Sequence, residues 1–198
     1  MPSRKIFNFT YVLYEENNPL SQLLAIATLS PMLVAFGLGA AFVVTRRVAW
    51  AWALAGALAV DVICRILKDV INQPRPESSY REGPGMPSEH AAFSTFLAVH
   101  LSLWLWSRTC CRVPLKIVGW AALNGWAAVV VFSRYHLGVH SVAQLAVGAV
   151  IGIVAGMLSF TLEGYLGDPW LAKVQRSLDR AWNYLEIEFE DYGESHTD

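Results

Sequence analysis

The sequence predicts an all-α fold, a polytopic membrane bundle of about five transmembrane helices. The residues Ala, Val, Ile, Leu, Met, Phe, Trp, Tyr and Cys make up 55% of the 198 positions, and Asp, Glu, Lys and Arg only 16%. A typical soluble domain carries about 25% charged residues. The charges are also unevenly placed, because none occurs between Glu16 and Arg46. About 20 apolar residues are enough for one helix to cross a bilayer.

Four further uncharged stretches set the bounds of the remaining predicted helices. They run from Arg47 to Asp61, Glu89 to Arg108, Lys116 to Arg134, and Arg134 to Glu163. The five predicted helices are residues 20–44, 48–70, 90–107, 117–133 and 140–162. The second reaches spanning length only by including two charged side chains, Asp61 and Arg65. A soluble all-α protein with buried helices is the alternative, and uncharged runs of this length argue against it.

The composition excludes several classes of protein. A formal net charge of −1 provides no basic excess to neutralise a nucleic-acid backbone, so no nucleic-acid partner is expected. The high apolar content excludes a disordered chain. Cys64, Cys110 and Cys111 are too few for a disulfide framework and lack the spacing of a zinc site.

The connections between the predicted helices differ in chemistry, and the difference predicts their orientation. The turn at Arg46-Arg47 and the loop 107–115 are basic, whereas the connection 72–89 is long, polar and rich in Pro and Gly. Functional loops have that second character. Because cytoplasmic loops carry an excess of Lys and Arg, the basic connections are expected to face the cytoplasm. The connections 72–89 and 133–139 would then face the lumen.

Three parts of the chain follow from this topology. Residues 1–19 form a lumenal N-terminal segment, residues 20–163 the transmembrane domain, and residues 164–198 a cytoplasmic tail. Apolar residues recur at helical spacing in the tail, at Trp170, Val174, Leu178, Trp182 and Leu185. Basic residues fall between them, so the tail is predicted to form an amphipathic helix on the membrane surface.

Residues suited to bind an anion occur in three groups, at the predicted lumenal ends of four helices. One group ends the second helix, one begins the third, and one flanks the connection between the fourth and the fifth. Because the topology brings these four ends to one side of the membrane, their side chains are expected to form a single cluster. Its members are Lys68, Arg75, Ser88, His90, Arg134 and His140.

Such a cluster suits an anion with several oxygens, such as phosphate. It combines three cations, two imidazoles, a hydroxyl and the free N–H groups of two helix N-termini. In phosphoryl transfer, one neutral imidazole can act as the nucleophile and one protonated imidazole as the general acid. The cations would stabilise the charge on the transferred group. No cluster of carboxylates offers a site for Mg²⁺ or Ca²⁺. No cofactor is expected.

Three motifs carry a resemblance to a known family. They are Lys68 with Arg75-Pro76 after six intervening residues, Pro87-Ser88-Glu89-His90, and Ser133-Arg134 with His140 after five. In this order they resemble the three-part motif of the type 2 phosphatidic acid phosphatase superfamily. Within it, the chain is most similar to the dolichyl-diphosphate phosphatases, also at Gly85-Met86 and Gln144.

The resemblance implies a role for each residue of the site. His140 would be the nucleophile that forms a phosphohistidine, His90 the general acid, and Gln144 the residue that orients His140. The phosphate would be held by Lys68, Arg75, Ser88, Glu89 and Arg134. The resemblance also implies an enzyme that works without a metal.

The resemblance further implies the substrate and its place. The substrate would be dolichyl diphosphate, cleaved to dolichyl phosphate and phosphate on the lumenal side of the endoplasmic reticulum membrane. That reaction recycles the lipid carrier for protein N-glycosylation. The expected partners are this polyprenyl lipid and the surrounding membrane lipids. Phosphatidic acid and undecaprenyl diphosphate are alternative substrates for the same chemistry.

Two positions depart from the pattern of the superfamily. Glu89 stands where Gly is usual, and its carboxylate would repel a phosphate unless it points away or pairs with a cation such as Arg81. Gln144 stands four residues after His140, where Asp is usual. Because residues four apart share a helix face, the Gln144 amide oxygen is predicted to accept a hydrogen bond from the His140 Nδ1–H. That bond would leave Nε2 free.

Two rival functions belong to other classes. A transporter or proton channel could use Asp61, Arg65 and His100, but transporters carry polar residues near the midplane on several helices. A non-catalytic lipid-binding scaffold would be expected to have lost a histidine, and both are present. Asp61 and Arg65 are predicted to form a structural pair, and His100 an interhelical hydrogen bond.

Overall fold

The architecture is a bundle of helices preceded by a short β-hairpin. The computed structural model describes residues 4–7, 12–166 and 171–194. Strand β1, Arg4–Phe7, pairs antiparallel with β2, Val12–Glu15, a hairpin that the sequence analysis did not predict. The helices in the described residues are α1 Pro19–Ala27, α2 Ser30–Thr45, α3 Val48–Ile71, α4 Glu89–Arg108, α5 Val113–His136, α6 Val142–Leu166 and α7 Ala172–Glu194.

The first predicted helix, residues 20–44, is divided into α1 and α2. Pro31 in the first turn of α2 has no N–H, so it cannot bond the carbonyl of Ala27. The Ser30 hydroxyl donates to that carbonyl instead, at 2.6 Å. Thr28 lies at the break between the two helices, where it is buried. Together α1 and α2 still form one apolar segment.

The remaining four predicted helices correspond to α3, α4, α5 and α6. Helix α5 extends beyond its predicted bounds of 117–133 at both ends. Pro114 is tolerated there because the first turn of a helix needs no N–H donor at that position. Arg134 and His136 still belong to the last turn of α5.

The helices are those of a membrane bundle. Within the described residues, four segments are long and apolar enough to cross a membrane: Pro19–Thr45, Val48–Ile71, Val113–His136 and Val142–Leu166. The remaining helix of the bundle, α4, packs against α3, α5 and α6. It is less apolar because it carries Ser94, His100 and Ser102, which are all buried inside the bundle. The predicted all-α bundle of about five membrane helices is confirmed.

Helices α4 and α6 approach closely because α6 presents glycine to α4 at every fourth position. Gly148, Gly152 and Gly156 lie on one face of α6. A Cβ atom at Gly148 would lie 2.5 Å from the carbonyl oxygen of Ser88, and one at Gly156 would lie 2.9 Å from that of Phe96. Small residues allow this approach of two backbones in membrane proteins. Any larger side chain would separate the two helices.

Two apolar clusters hold the bundle together. The larger joins α2, α3 and α4 through the buried residues Leu38, Ala53, Ala57, Val60, Cys64, Ala92, Phe93, Phe96 and Leu97. The smaller joins β2 and α1 to the connection between α5 and α6, through Val12, Ala25, Leu137 and Val139. The smaller cluster therefore supports the connection that contains His140.

One of the two predicted intramembrane interactions is present. Arg65 Nη2 lies 2.7 Å from Asp61 Oδ2, so the predicted pair is confirmed. His100 is buried and lies against Phe160 of α6, with the two ring centroids 6.5 Å apart. Its Nε2 also lies 3.7 Å from Oε2 of Glu163. That distance is longer than a hydrogen bond, so the predicted interhelical hydrogen bond of His100 stays a prediction.

Helix α7 contacts the turn between α2 and α3. The Gln175 amide accepts a hydrogen bond from the Val48 N–H at 2.9 Å and donates one to the Arg46 carbonyl at 2.7 Å. The Arg46 guanidinium also lies 5.2 Å from the centre of the Trp182 ring, within the range of a cation–π contact. Among the residues that the structure describes, the tail thus contacts this turn through the Gln175 amide and the Trp182 ring.

The residues that the structure describes cover only part of the predicted amphipathic tail helix. Trp170 and the side chain of Leu185 lie outside the described residues. Helix α7 falls within the predicted tail of 164–198. The division into the segments 1–19, 20–163 and 164–198 stays a prediction.

Replacing Gly152 by alanine should destabilise the protein. The new Cβ would meet the Ala92 carbonyl and the Thr95 hydroxyl in the contact between α4 and α6. Overpacking costs about 1–3 kcal/mol, and in chains of this size each kcal/mol lowers Tm by about 2–4 °C. Thermal unfolding in detergent measures the change. Gly125→Ala in α5 is the control, because a Cβ there has no neighbour within 4 Å. An equal decrease in Tm in the two variants would contradict the close contact between α4 and α6.

Candidate active site

The predicted site residues gather at one end of the bundle. This end, formed by residues 72–88 and 137–141, is called the site end below, and the end with residues 46–47 and 109–112 is the opposite end. Helices α3 and α5 finish at the site end, and α4 and α6 begin there. The predicted convergence of four helix ends is therefore present.

A backbone hydrogen bond joins the starts of α4 and α6. The N–H of Ser88, the residue before α4, donates to the carbonyl of Gln144 in the first turn of α6, at 3.1 Å. His90 lies in the first turn of α4, and His140 lies just before α6. The two predicted histidines are thus carried on adjacent helix starts whose separation is set by a direct bond.

The His140 ring is held on both of its nitrogens. Gln144 Oε1 lies 3.2 Å from Nδ1, and Arg75 Nη1 lies 3.3 Å from Nε2. A guanidinium can only donate, so Nε2 accepts and Nδ1 carries the proton that is donated to Gln144. The predicted hydrogen bond between His140 and Gln144 is confirmed. The neutral ring directs the lone pair of Nε2 towards Arg75.

Two further bonds orient the amide of Gln144. Its Nε2 donates to the carbonyl of Pro74 at 2.8 Å, and its Oε1 also accepts from the N–H of Ser141 at 3.2 Å. A carbonyl only accepts, so the amide nitrogen faces Pro74 and the amide oxygen faces His140. Gly85 lies against this amide, since a Cβ there would be 2.6 Å from Gln144 Nε2. The connection 72–88 therefore positions Gln144.

The surroundings of His140 favour the neutral imidazole. Burial lowers the pKa of His140 to about 3, and the positive charges of Arg134 and Arg75 act in the same direction. The hydrogen bond with Gln144 opposes the shift but does not reverse it. Because a lowered pKa disfavours protonation, the neutral form of the ring is favoured, and its unprotonated Nε2 accepts the bond from Arg75.

Arg134 is 1% exposed and ties three parts of the site end together. Its Nη1 donates to Thr28 Oγ1 at 3.3 Å, and the same hydroxyl lies 2.8 Å from that of Ser133. Its carbonyl accepts from the N–H groups of Val139, at 3.2 Å, and His140, at 3.4 Å. The break between α1 and α2, the end of α5 and the start of α6 therefore meet at one guanidinium-bearing residue.

Three buried donors at the site end have no hydrogen-bond partner among the described residues. They are Arg75 Nε, Ser88 Oγ and Arg134 Nε. Leaving a buried polar group unmet costs about 1–3 kcal/mol, so such groups are normally paired. Two guanidinium groups and a hydroxyl beside a neutral imidazole match the acceptor oxygens of a phosphate. The chemistry of these groups suits a tetrahedral oxyanion.

Lys68 is paired with a carboxylate. Its Nζ lies 2.8 Å from Glu89 Oε1, and Arg65 Nε lies 3.9 Å from the same oxygen. The sequence analysis expected Glu89 to point away or to pair with a cation such as Arg81. Glu89 does pair, but with Lys68, because the last turn of α3 faces the first turn of α4. The binding of phosphate by Lys68 stays a prediction.

A cavity of about 350 Å³ opens beside His90 and Arg134. Its walls include Arg81 from the connection 72–88, and apolar side chains such as Met32 of α2 and Leu58 of α3. The cavity thus continues from charged groups at the site end to apolar surface between two helices. Such a shape fits a molecule that has an anionic head and an apolar chain.

Two residues of the site were not predicted from the sequence. Thr28 bonds Arg134, and Tyr80 lines the cavity beside it. Thr28 could have been noticed as a hydroxyl in a long apolar run, three residues before Pro31. No signal marked Tyr80, because only the folding of the connection 72–88 brings it to the cavity.

A set of metal ligands is not evident in the described part of the chain. No group of three or more His, Cys, Asp or Glu side chains lies close enough there to hold an ion. The expectation that the enzyme uses neither a metal nor a cofactor stays a prediction, which a chelator can test.

The fold and the site define the class of protein, a multi-pass membrane phosphatase. The sequence profile described as the PAP2 superfamily matches residues 49–168. That range contains all three motifs and Gln144. The chain belongs to the PAP2 superfamily.

Relatives and solved structures agree with this assignment. The dolichyldiphosphatase of Saccharomyces cerevisiae is 32% identical over 182 residues, which cover 85% of this chain and 76% of that protein. Lipid phosphate phosphatase gamma of Arabidopsis thaliana is 26% identical over 193 residues, which cover 92% and 84%. The crystal structure of a transmembrane PAP2-type phosphatidylglycerolphosphate phosphatase from Bacillus subtilis superposes with a TM-score of 0.66 at 18% identity. That superposition covers 76% of this chain and 80% of the other.

The comparisons settle the general activity. The protein is a phosphatase, and therefore a hydrolase, of the PAP2 type, and its substrate is a lipid phosphate. The likeness to the Bacillus structure concerns the fold alone. The individual roles of the site residues stay predictions.

Replacing Gly85 by alanine should lower phosphate release. The added Cβ would displace the Gln144 amide, which lies 2.6 Å from its position, and would disturb the bond to His140. Loss of one hydrogen bond of about 0.5–1.5 kcal/mol corresponds to a decrease of about 2- to 10-fold. Steady-state assays of purified protein measure it. Gly37→Ala, where a Cβ has no neighbour within 4 Å, is the control. Wild-type turnover in Gly85→Ala would mean that Gln144 does not need its observed position.

Proposed function

We propose that the protein hydrolyses dolichyl diphosphate, or a closely similar polyprenyl diphosphate, to the lipid monophosphate and phosphate. The observation that carries this proposal is the His140 ring, whose Nε2 lies 3.3 Å from Arg75 Nη1 at the end of the bundle that also holds the unmet donors of Arg75, Ser88 and Arg134. The name of the yeast relative supports the dolichyl substrate. The reaction would recycle the lipid carrier for protein N-glycosylation.

In the first half of the reaction, Nε2 of His140 attacks the terminal phosphorus. The bond from that phosphorus to the bridging oxygen breaks, and the bridging oxygen leaves with the lipid monophosphate. His90, in the protonated form, gives its proton to this oxygen. The product is a phosphohistidine on His140, with Nδ1–H still donating to Gln144.

In the second half, water attacks the phosphorus of the phosphohistidine. His90, now neutral, accepts a proton from the water as a general base. The phosphorus–nitrogen bond breaks and its electron pair returns to Nε2. Inorganic phosphate leaves, and both histidines return to their starting states.

The phosphate would be held by side chains and by a helix terminus. Arg75, Arg134 and the Ser88 hydroxyl would use the donors that have no partner among the described residues. The backbone N–H of Glu89, at the N-terminus of α4, would also donate to the phosphate. Lys68 would exchange its contact with the Glu89 carboxylate for one with the phosphate. Donors placed in advance stabilise the charge that develops on the transferred group.

The apolar chain of the lipid would follow the cavity between α2 and α3. The walls contributed by Met32 and Leu58 suit a hydrocarbon, and His90 lines the same cavity, so the leaving oxygen would lie beside it. Phosphatidic acid is the second candidate substrate, because a relative over nearly the whole chain is named as a lipid phosphate phosphatase. Undecaprenyl diphosphate shares the chemistry of the dolichyl lipid.

We also propose the orientation in the endoplasmic reticulum membrane. The opposite end of the bundle carries Arg46 and Arg47 in one turn and Arg112 in the other. An excess of basic residues favours the cytoplasmic side, so the site end would face the lumen.

A substrate panel tests the proposal. Purified protein in detergent with a chelator should release phosphate from prenyl diphosphate faster than from prenyl monophosphate or phosphatidic acid. His140→Ala should abolish release, and His90→Asn should lower it by about 10²- to 10⁴-fold. The control is Arg112→Gln, an exposed residue at the opposite end.

Three results would contradict the proposal in separate ways. A preference for phosphatidic acid would overturn the substrate. Near-wild-type turnover in His140→Ala would overturn the two-histidine mechanism. Loss of activity with chelator that a divalent metal restores would overturn the metal-free chemistry.

Gln144→Asp should shift the acid limb of the pH profile of kcat/KM to higher pH. A carboxylate beside Nδ1 stabilises the imidazolium, so it raises the pKa of His140 from its value of about 3. The nucleophile would then be lost to protonation at a higher pH. Gln144→Ala should lower activity by misorienting the ring, without this shift. An unchanged acid limb in Gln144→Asp would mean that His140 does not titrate in the catalytic step.

A further inference from the structure

Two charged residues on the wall of the cavity have no part in the proposed reaction. Arg65 and Asp61 both line the cavity that opens beside His90. Arg65 Nη2 lies 2.7 Å from Asp61 Oδ2, and the Arg65 side chain is 68% exposed, whereas that of Asp61 is 24% exposed. Both side chains therefore border the cavity, and the arginine is the more exposed of the two.

The depth of this pair in the membrane makes a merely structural role expensive. Arg65 lies six residues before Ile71, the end of α3, which places it about 9 Å below the end of the helix. Ionisable residues inside membrane helices are costly, and they mark functional sites. An arginine that served only to neutralise Asp61 would need no exposed guanidinium facing a cavity.

The order of groups along the cavity matches the parts of a lipid diphosphate. His90, Arg134, Arg65 and Arg81 all line the cavity, with apolar side chains such as Leu58. Arg134 is buried and His90 is half-buried, whereas Arg65 and Arg81 are exposed, so we place these two arginines nearer the mouth of the cavity. In the proposed reaction the terminal phosphate lies beside His140 and the leaving oxygen beside His90. The second phosphate, which stays with the lipid, must then lie on the outer side of His90.

We propose that Arg65, together with Arg81, binds the phosphate that remains on the lipid product. This subsite for the retained phosphate rests on the proposed function. A guanidinium has five donors, and the one hydrogen bond to Asp61 leaves Nη1 of Arg65 for a phosphate oxygen. The subsite selects lipid diphosphates over lipid monophosphates, because a monophosphate has no second group to occupy it.

Two carboxylates hold the cations in place before the substrate arrives. Asp61 pairs with Arg65, and Glu89 lies 2.8 Å from Lys68 and 3.9 Å from Arg65 Nε. These four side chains are neutral as a set. A diphosphate that enters the cavity competes with the two carboxylates for the same donors. Asp61 and Glu89 thus act as positioning residues, which orient the cations without contacting the reacting phosphorus.

The test compares the selectivity of three variants with that of the wild type. Selectivity is the ratio of kcat/KM for a prenyl diphosphate to that for the monophosphate of the same chain. Charge-assisted hydrogen bonds contribute about 1.5–3 kcal/mol, so Arg65→Gln should lower the ratio by about 10- to 150-fold. Arg65→Lys keeps the charge without the fork and should give an intermediate ratio. Arg112→Gln, at the opposite end, should leave the ratio unchanged.

A double variant separates substrate binding from a structural pair. If Arg65 only neutralises Asp61, then Asp61→Asn combined with Arg65→Gln restores the selectivity, because both charges are removed together. If Arg65 binds the retained phosphate, the double variant stays as unselective as Arg65→Gln. Binding of a non-hydrolysable prenyl methylenediphosphonate provides a readout without turnover. In Arg65→Gln, the affinity for this diphosphonate should fall by more than the affinity for the monophosphonate of the same prenyl chain.

The outcomes distinguish this subsite from the function on which it rests. A wild type that hydrolyses prenyl diphosphate no better than the monophosphate overturns the proposed function, and the subsite with it. A wild type that prefers the diphosphate, with the same ratio in Arg65→Gln, overturns the subsite alone. Recovery of the ratio in the double variant would also overturn the subsite alone.

Discussion

The close approach of α4 and α6 is the constraint on which the site depends. Gly148 and Gly152 leave no side chain between the two helices, and the Ser88 N–H bonds the Gln144 carbonyl where both helices begin. The first turns of the two helices carry or adjoin the catalytic candidates, so this one contact sets the relation of His90 to His140. Wider spacing would leave the same residues at the same membrane depth without a common site.

The positive charge of the inner site follows from the neutral partners of His140 and Arg134. His140 is bonded by an amide, Gln144, and not by a carboxylate, and the guanidinium of Arg134 is bonded by the hydroxyl of Thr28. The carboxylates of Asp61 and Glu89 lie on the cavity wall, where they pair with Arg65 and Lys68. The inner site is therefore electropositive, which suits an anion, and the counter-charges remain within reach of the cations.

Interactions between residues close in sequence were predictable, and those between distant residues were less so. The pairs Asp61–Arg65 and His140–Gln144 were expected because residues four apart share a helix face. The partner of Glu89 was expected among cations such as Arg81, but Lys68, distant in sequence, takes that place. Thr28 escaped notice because its importance depends on Arg134, which lies over a hundred residues away. Such contacts require the relative placement of several helices.

The sequence by itself determined the membrane spans, the order of the three motifs and the common end at which they meet. Uncharged length and charged turns are local properties, and they decide where a helix can cross a bilayer. Only the tertiary structure decided the break before Pro31, the bond from Gln144 to the Pro74 carbonyl and the cavity between α2 and α3. These features depend on side-chain volumes and bonds between segments far apart in the chain, and helical periodicity carries no information about them.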